Sequence, residues 1–224
     1  GGAWASPAGR TRSVGRAYRR PRPWLVASAR WTGRTLGDCL LRVDVHGAQH
    51  VPHQGAVLLA GNHTSALDGP LLYALSPRPV VILAKSELFR GPLAVILPLL
   101  GAIAVHRGMP DRAALRGALL HLEAEGAVGV FPEGTRGAGR FDDVAHGLAY
   151  LAVRSGAPVV PIVVRAPTGR HWRRSRPSVQ IVFGEPVRVA LHGDPRARRT
   201  VTLAAEQLRL ALVDHLRRTT GESP

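Results

Sequence analysis

Short apolar runs separated by helix-patterned segments dominate the chain. Residues 56–60, 79–84, 102–105, 128–131, 158–164 and 179–183 read as strands by their length and their Val, Ile and Leu content. Residues 42–47 alternate as a first strand, before the turn His53-Gln54-Gly55. Asp68-Gly69-Pro70 opens a helix over 69–75, with Asp68 at the cap and proline in the first turn. An apolar helix-like segment runs to Leu100, and Asp111 opens an amphipathic helix to about Glu125. A closing helix from about Arg198 to Arg217 sets Val201, Ala204, Leu208, Leu212 and His215 on one stripe. No element is assigned between Phe131 and Pro158, and residues 168–177 read as a basic loop. Strands that are apolar throughout are covered on both faces. The pattern therefore predicts an α/β fold with a mixed, largely parallel central sheet flanked by helices.

Charge adds a second region. Residues 1–37 hold eight arginines and no acidic residue. The chain divides into a basic disordered arm (1–23), an amphipathic membrane-interface helix (24–42), an α/β domain (43–218) and a tail (219–224). In the helix, Trp24 and Trp31 alternate with Arg30 and Arg34; an arm packed on the domain is the other reading. The formal charge of +15, from 30 basic and 15 acidic residues, implies an anionic partner such as a membrane surface. Nucleic acid would attract the same arginines, but no helix-turn-helix, zinc-finger or RNP pattern is present and aromatics are only 5%, so none is expected. The single cysteine, Cys39, excludes an intramolecular disulfide framework and fits a reducing compartment. The longest apolar run, 92–105, has 14 residues with Pro98 inside it, short of the roughly 20 that span a bilayer. A peripheral or monotopic protein on the cytoplasmic face of the cell membrane is the expectation.

Candidate chemistry gathers where strands end. Asn62-His63-Thr64-Ser65-Ala66-Leu67-Asp68 joins the 56–60 strand to the next helix, so His63 sits on a loop that can fold back toward Asp68. A carboxylate there can hold one ring nitrogen and leave the other basic. On these residues alone, a helix cap and a polar loop side chain is an equal reading. After the 128–131 strand comes Pro132-Glu133-Gly134-Thr135-Arg136-Gly137, where a glycine backbone, a hydroxyl and an arginine make a phosphate cradle. Lys85, the only lysine, and Arg107 also stand at strand ends. In open, largely parallel sheets ligands bind outside the carboxyl ends of the strands.

These residues resemble the glycerolipid acyltransferase family of the PlsC type. Its Asn-His-x4-Asp motif matches Asn62 to Asp68, and its Phe-Pro-Glu-Gly-Thr-Arg motif stands unchanged at Phe131 to Arg136. Gly101 to Arg107 resembles its second block, and Val160-Pro161-Ile162-Val163 its fourth. Gly137 replaces the usual serine, and Asp142, Asp143 and His146 stand where a lysine segment is expected. The resemblance implies acyl transfer from acyl-CoA or acyl carrier protein to the hydroxyl of lysophosphatidic acid or a related lysolipid, in phospholipid synthesis. His63 would be the general base and Asp68 its orienting partner. Arg136, the backbone at Gly134, Thr135, Arg107 and Lys85 would grip phosphate, and Glu133 would order that loop or bind a glycerol hydroxyl. No metal or cofactor is implied. Two alternatives stay open: a lipid hydrolase using Ser65, although no Gly-x-Ser-x-Gly surrounds it, and a non-catalytic basic membrane or nucleic-acid binder. The apolar segment 93–100 walls an acyl groove or packs in the core.

Overall fold

A computed structural model describes residues 21–62, 65, 67–106, 111–131, 145–165, 176–190, 194–195 and 197–221. Helix α1 (Pro23–Leu40) starts with proline in its first turn, as suits a residue with no N–H to offer. Strands β1 (Arg42–His46) and β2 (Val57–Gly61) follow, then α2 (Asp68–Leu75) and β3 (Val80–Lys85). Next come α3 (Leu93–Leu99), β4 (Ile103–Val105), α4 (Arg112–Glu123) and β5 (Ala127–Val130). The chain closes with α5 (Ala145–Ser155), β6 (Val159–Arg165), β7 (Ser178–Phe183) and α6 (Arg198–Thr220).

The strands form one seven-stranded sheet in the order β1-β7-β6-β2-β5-β3-β4. All neighbours are parallel except β6 and β7. The mixed, largely parallel sheet is therefore as the apolar runs predict. Five strands, β2 to β6, point their carboxyl ends at one edge, where Gly61, Lys85, Val105, Val130 and Arg165 stand.

Alternate residues along each strand feed two cores. Leu58, Ala60, Val128, Val130 and Val159 pack with Ala118 and Leu122 of α4, Leu148 and Leu151 of α5, and Leu208 and Leu212 of α6. Val57, Leu59, Val80, Val160, Ile162 and Ile181 pack under Leu71, Leu72 and Leu75 of α2. Full burial of such side chains stabilises by roughly 1.5–3 kcal/mol each.

Several expectations need correction. α5 lies where no element is read from the sequence, and it is among the most buried helices of the fold: Leu148, Ala149 and Leu151 are inaccessible. Its buried side packs between the sheet and α4 and α6, while His146, Tyr150 and Arg154, four residues apart, form the side turned to solvent, so an amphipathic stripe is present in the sequence. α1 ends at Leu40 and Arg42 already pairs with Ser178, so the boundary placed after residue 42 falls two residues earlier. The final helix continues to Thr220. α3 is no core element, since none of its residues is buried and Leu93, Val95, Ile96 and Leu99 are exposed. Of the basic arm placed at 1–23, residues 1–20 lie outside the described residues, and Pro23 already belongs to α1.

Candidate active site at the carboxyl edge of the sheet

Asn62 begins the site. The last backbone pair of β2 with β6 is Gly61 opposite Ile162, after which the main chain peels away. The Asn62 carboxamide then takes over the pairing, accepting from Val164 N–H at 2.9 Å and donating to Val164 O at 3.3 Å. A side-chain amide carries the same donor and acceptor pair as a peptide, so it extends the ladder while the backbone turns out of the sheet. With Asn62 buried, both bonds are shielded from water.

The loop closes onto α2 through a carboxylate. Asp68 is fully buried, and its Oδ2 accepts the Ser65 N–H at 2.7 Å. Ser65 Oγ accepts from Leu67 N–H at 3.2 Å, and Asp68 N–H reaches back to Ser65 O at 3.3 Å. Asp68 is thus the first residue of α2 rather than its cap; Leu67 holds the cap position with no side-chain bond. A carboxylate removed from water needs hydrogen-bond donors, and the turn at Ser65 supplies one.

A ring holds both ends of this loop. A Cβ built at Gly61 would stand 3.6 Å from Cε1 of Phe131, and one at Gly69 would stand 4.0 Å from Cε2. Phe131, the first residue of the second motif, therefore lies against the two glycines that bracket the first. Packing between the motifs fixes where the chain after β5 departs relative to the chain after β2.

Lys85 is the last residue of β3, half-buried and in register with Val105 of β4. Val81 and Leu83 pack in the core under α4, so the two-residue period sends Lys85 toward that same face. His63, Arg107, Glu133, Gly134, Thr135 and Arg136 lie outside the described residues. What is described is their attachment: each follows a strand that ends at the same edge of the sheet.

One further pair stands outside the two motifs. His106, directly before Arg107, points Nδ1 at Asp111 Oδ2 (2.8 Å), and its N–H donates to the same oxygen at 3.0 Å. Asp111 Oδ1 accepts from Ala113 and Ala114 N–H and so caps α4. Burial pushes the Asp111 carboxyl up, but the Ala114 amide and His106 outweigh it and hold the group below the usual carboxylate range. Its signal in the sequence is a histidine five residues before a capping aspartate. Together they bracket the segment that carries Arg107.

Among the described residues no group of three His, Cys, Asp or Glu could hold a metal. The described residues anchor the two ends of this loop, Asn62 on β6 and Asp68 at the head of α2, and bury a carboxylate at the second.

A 1-acyl-sn-glycerol-3-phosphate acyltransferase of Borreliella burgdorferi is 33% identical over 160 residues, 69% of this chain and 61% of that protein. The alpha form from Homo sapiens is 32% identical over 141 residues, 61% of this chain and 50% of that protein. The chain thus spans about half to three fifths of the length of these curated relatives. The crystal structure of the 1-acyl-sn-glycerophosphate acyltransferase PlsC from Thermotoga maritima superposes with a TM-score of 0.60 at 26% identity, covering 86% of this chain and 79% of that one. A family model described as acyltransferase matches residues 42–165, the span that holds β1 to β6 and both motifs. With more than half of its length matched by that model, the chain belongs to the PlsC-type acyltransferase family.

Proposed function

We propose that the protein transfers a fatty acyl group from acyl-CoA or acyl carrier protein to the free hydroxyl of lysophosphatidic acid or a related lysolipid, a step of phospholipid synthesis. The observation that carries this reading is the buried Asp68 at the head of α2, tied to Ser65, which follows His63 by two residues in the sequence. His63 takes the proton of the acceptor hydroxyl, and Asp68 orients the ring and stabilises the imidazolium. The alkoxide adds to the thioester carbonyl; the tetrahedral intermediate collapses, the C–S bond breaks, and the imidazolium returns its proton to the departing thiolate. A positioned base supplies roughly 10²–10⁴-fold of rate, so orientation and charge stabilisation carry the rest. Arg136, Arg107 and Lys85, with the backbone at Gly134 and Thr135, neutralise the acceptor's phosphate, and Glu133 orders their loop.

The protein works at an anionic membrane surface. Trp24 and Trp31 of α1 are 65% and 70% exposed, and Leu36 and Leu40 join them. Tryptophan and leucine beside arginines suit the headgroup boundary of a bilayer. No described helix is long and apolar enough to cross a membrane.

The test is a panel of lysolipids with both thioester donors, read by mass spectrometry. His63→Ala and Asp68→Asn should lower acyl transfer by at least about 10²-fold with the fold retained. Near-full activity in His63→Ala would sink the mechanism. Free fatty acid in place of acylated product would favour hydrolysis through Ser65.

A further inference from the structure

α1 is set against α2 by its arginines, not by its tryptophans. Arg30 is 8% exposed, and its guanidinium donates to three carbonyls at the carboxyl end of α2 and just beyond: Tyr73 O at 2.9 Å, Ser76 O at 2.5 Å and Arg78 O at 2.9 Å. Arg34, one turn later on α1, donates to Ala74 O at 2.8 Å and Ser76 O at 3.1 Å. Between them, a Cβ at Gly33 would stand 3.0 Å from Ala74 Cβ, so the two helices touch almost backbone to backbone. The last carbonyls of a helix have no partner inside it, and they carry the negative end of its dipole. Two guanidiniums answer both needs at once.

α2 has only eight residues, and Asp68 is its first. At 1.5 Å per residue, the clamped carbonyls and the carboxylate are about 12 Å apart on one rigid rod. The sheet holds the inner face of that rod through Leu71, Leu72 and Leu75, and Phe131 lies against Gly69 at its near end, so its far end is the one that remains to be held. Arg30 and Arg34 grip it there.

We propose that Arg30 and Arg34 are positioning residues for acyl transfer, holding α2 from its carboxyl end so that Asp68 stands correctly under His63. α1 is then a part of the catalytic unit as well as a surface-binding helix. This inference rests on Asp68 being the partner of His63.

The experiment separates positioning from anchoring. The full chain with Arg30→Met and Arg34→Met is assayed on a short-chain lysophosphatidic acid and a short-chain acyl thioester, both dispersed as monomers. Flotation with phosphatidylglycerol-containing vesicles is measured in parallel. Arg42→Met, an exposed arginine at the start of β1, controls for lost charge. The expected result is a fall in kcat of about tenfold or more, with KM within about twofold. The acid limb of kcat should move to lower pH, because the imidazolium loses part of its carboxylate. Flotation and the Arg42→Met control should stay near wild type, and Arg30→Lys should recover part of kcat. An unchanged kcat and acid limb on dispersed substrates, or a loss seen only on vesicles and tracking flotation, overturns the proposal. If the double variant does not fold, Arg34→Met, which leaves the Arg30 bonds, carries the same readouts. A wild-type protein with no acyl transfer overturns the proposed function instead. Hydrogen exchange at the Ser65 and Leu71 amides then decides: about tenfold faster exchange in the double variant supports the clamp, and unchanged protection overturns it.

Discussion

Asn62 and Val164 stand 102 residues apart in sequence and exchange two hydrogen bonds, side chain to backbone, where β2 leaves the sheet. This pairing fixes the point from which the loop carrying His63 departs. It makes the asparagine of the first motif a sheet residue in function, though its backbone has left the ladder.

Asn62→Leu keeps the approximate volume and removes both bonds, leaving Val164 N–H and C=O buried without their partners. A loss of about 2–4 kcal/mol in urea unfolding is expected. Asn62→Asp keeps the acceptor to Val164 N–H and turns the donor into a second acceptor facing Val164 O, so it should also destabilise.

The two glycines against Phe131 should answer differently to the same methyl group. At Gly61 a Cβ would sit 3.2 Å from Ile162 O, a backbone atom inside the sheet that cannot step aside. Gly61→Ala should therefore cost about 1–3 kcal/mol. At Gly69 the Phe131 ring, at 4.0 Å, is in ordinary contact range. Gly69→Ala lies in the first turn of α2 and should be neutral or stabilise by up to about 1 kcal/mol. Equal losses at both sites in thermal melts would contradict this packing.

Asp111→Ala removes the cap of α4 and should cost about 1 kcal/mol. The folded protein holds this carboxyl below its ordinary value, so its contribution is complete above the unfolded range near 3.8 and is lost as pH falls through the lowered folded value. Asp111→Asn should accordingly flatten the acid end of a stability profile.

His215 has the opposite charge preference. Burial pushes its imidazole below the usual range, against the bond to Val182 O at 3.2 Å, which raises it. The folded state therefore binds fewer protons than the unfolded state. Stability is complete above the unfolded value near 6.5 and declines as pH falls through it toward the lowered folded value. His215→Gln, which can still donate to the Val182 carbonyl, should reduce the slope in that window, measured by urea unfolding at pH 7.5, 6 and 5.

Much of the site's neighbourhood is legible along the chain. Apolar runs of strand length, set between helix-patterned segments, already imply a largely parallel sheet with one ligand-bearing edge, and Lys85 stands at that edge as the pattern requires. Local chemistry also identifies Asp111, because a cap acts on amides two and three residues away.

Other features depend on contacts that no local period encodes. Asp68 reads as a cap from its neighbours, yet α2 begins with it, because burial and the Ser65 N–H draw the carboxylate inward. Arg30 and Arg34 read as a solvated or lipid-facing charge pattern, yet they turn toward the carbonyls of α2, more than 35 residues further along the chain. α5, by contrast, does carry a local period, with His146, Tyr150 and Arg154 at four-residue spacing opposite its buried face. The strands, their common edge and the residue types placed there are written along the chain, since they follow from side-chain period and backbone chemistry. Which polar group meets which emerges with the assembled fold, since a hydrogen bond between distant residues is set by strand order and helix docking.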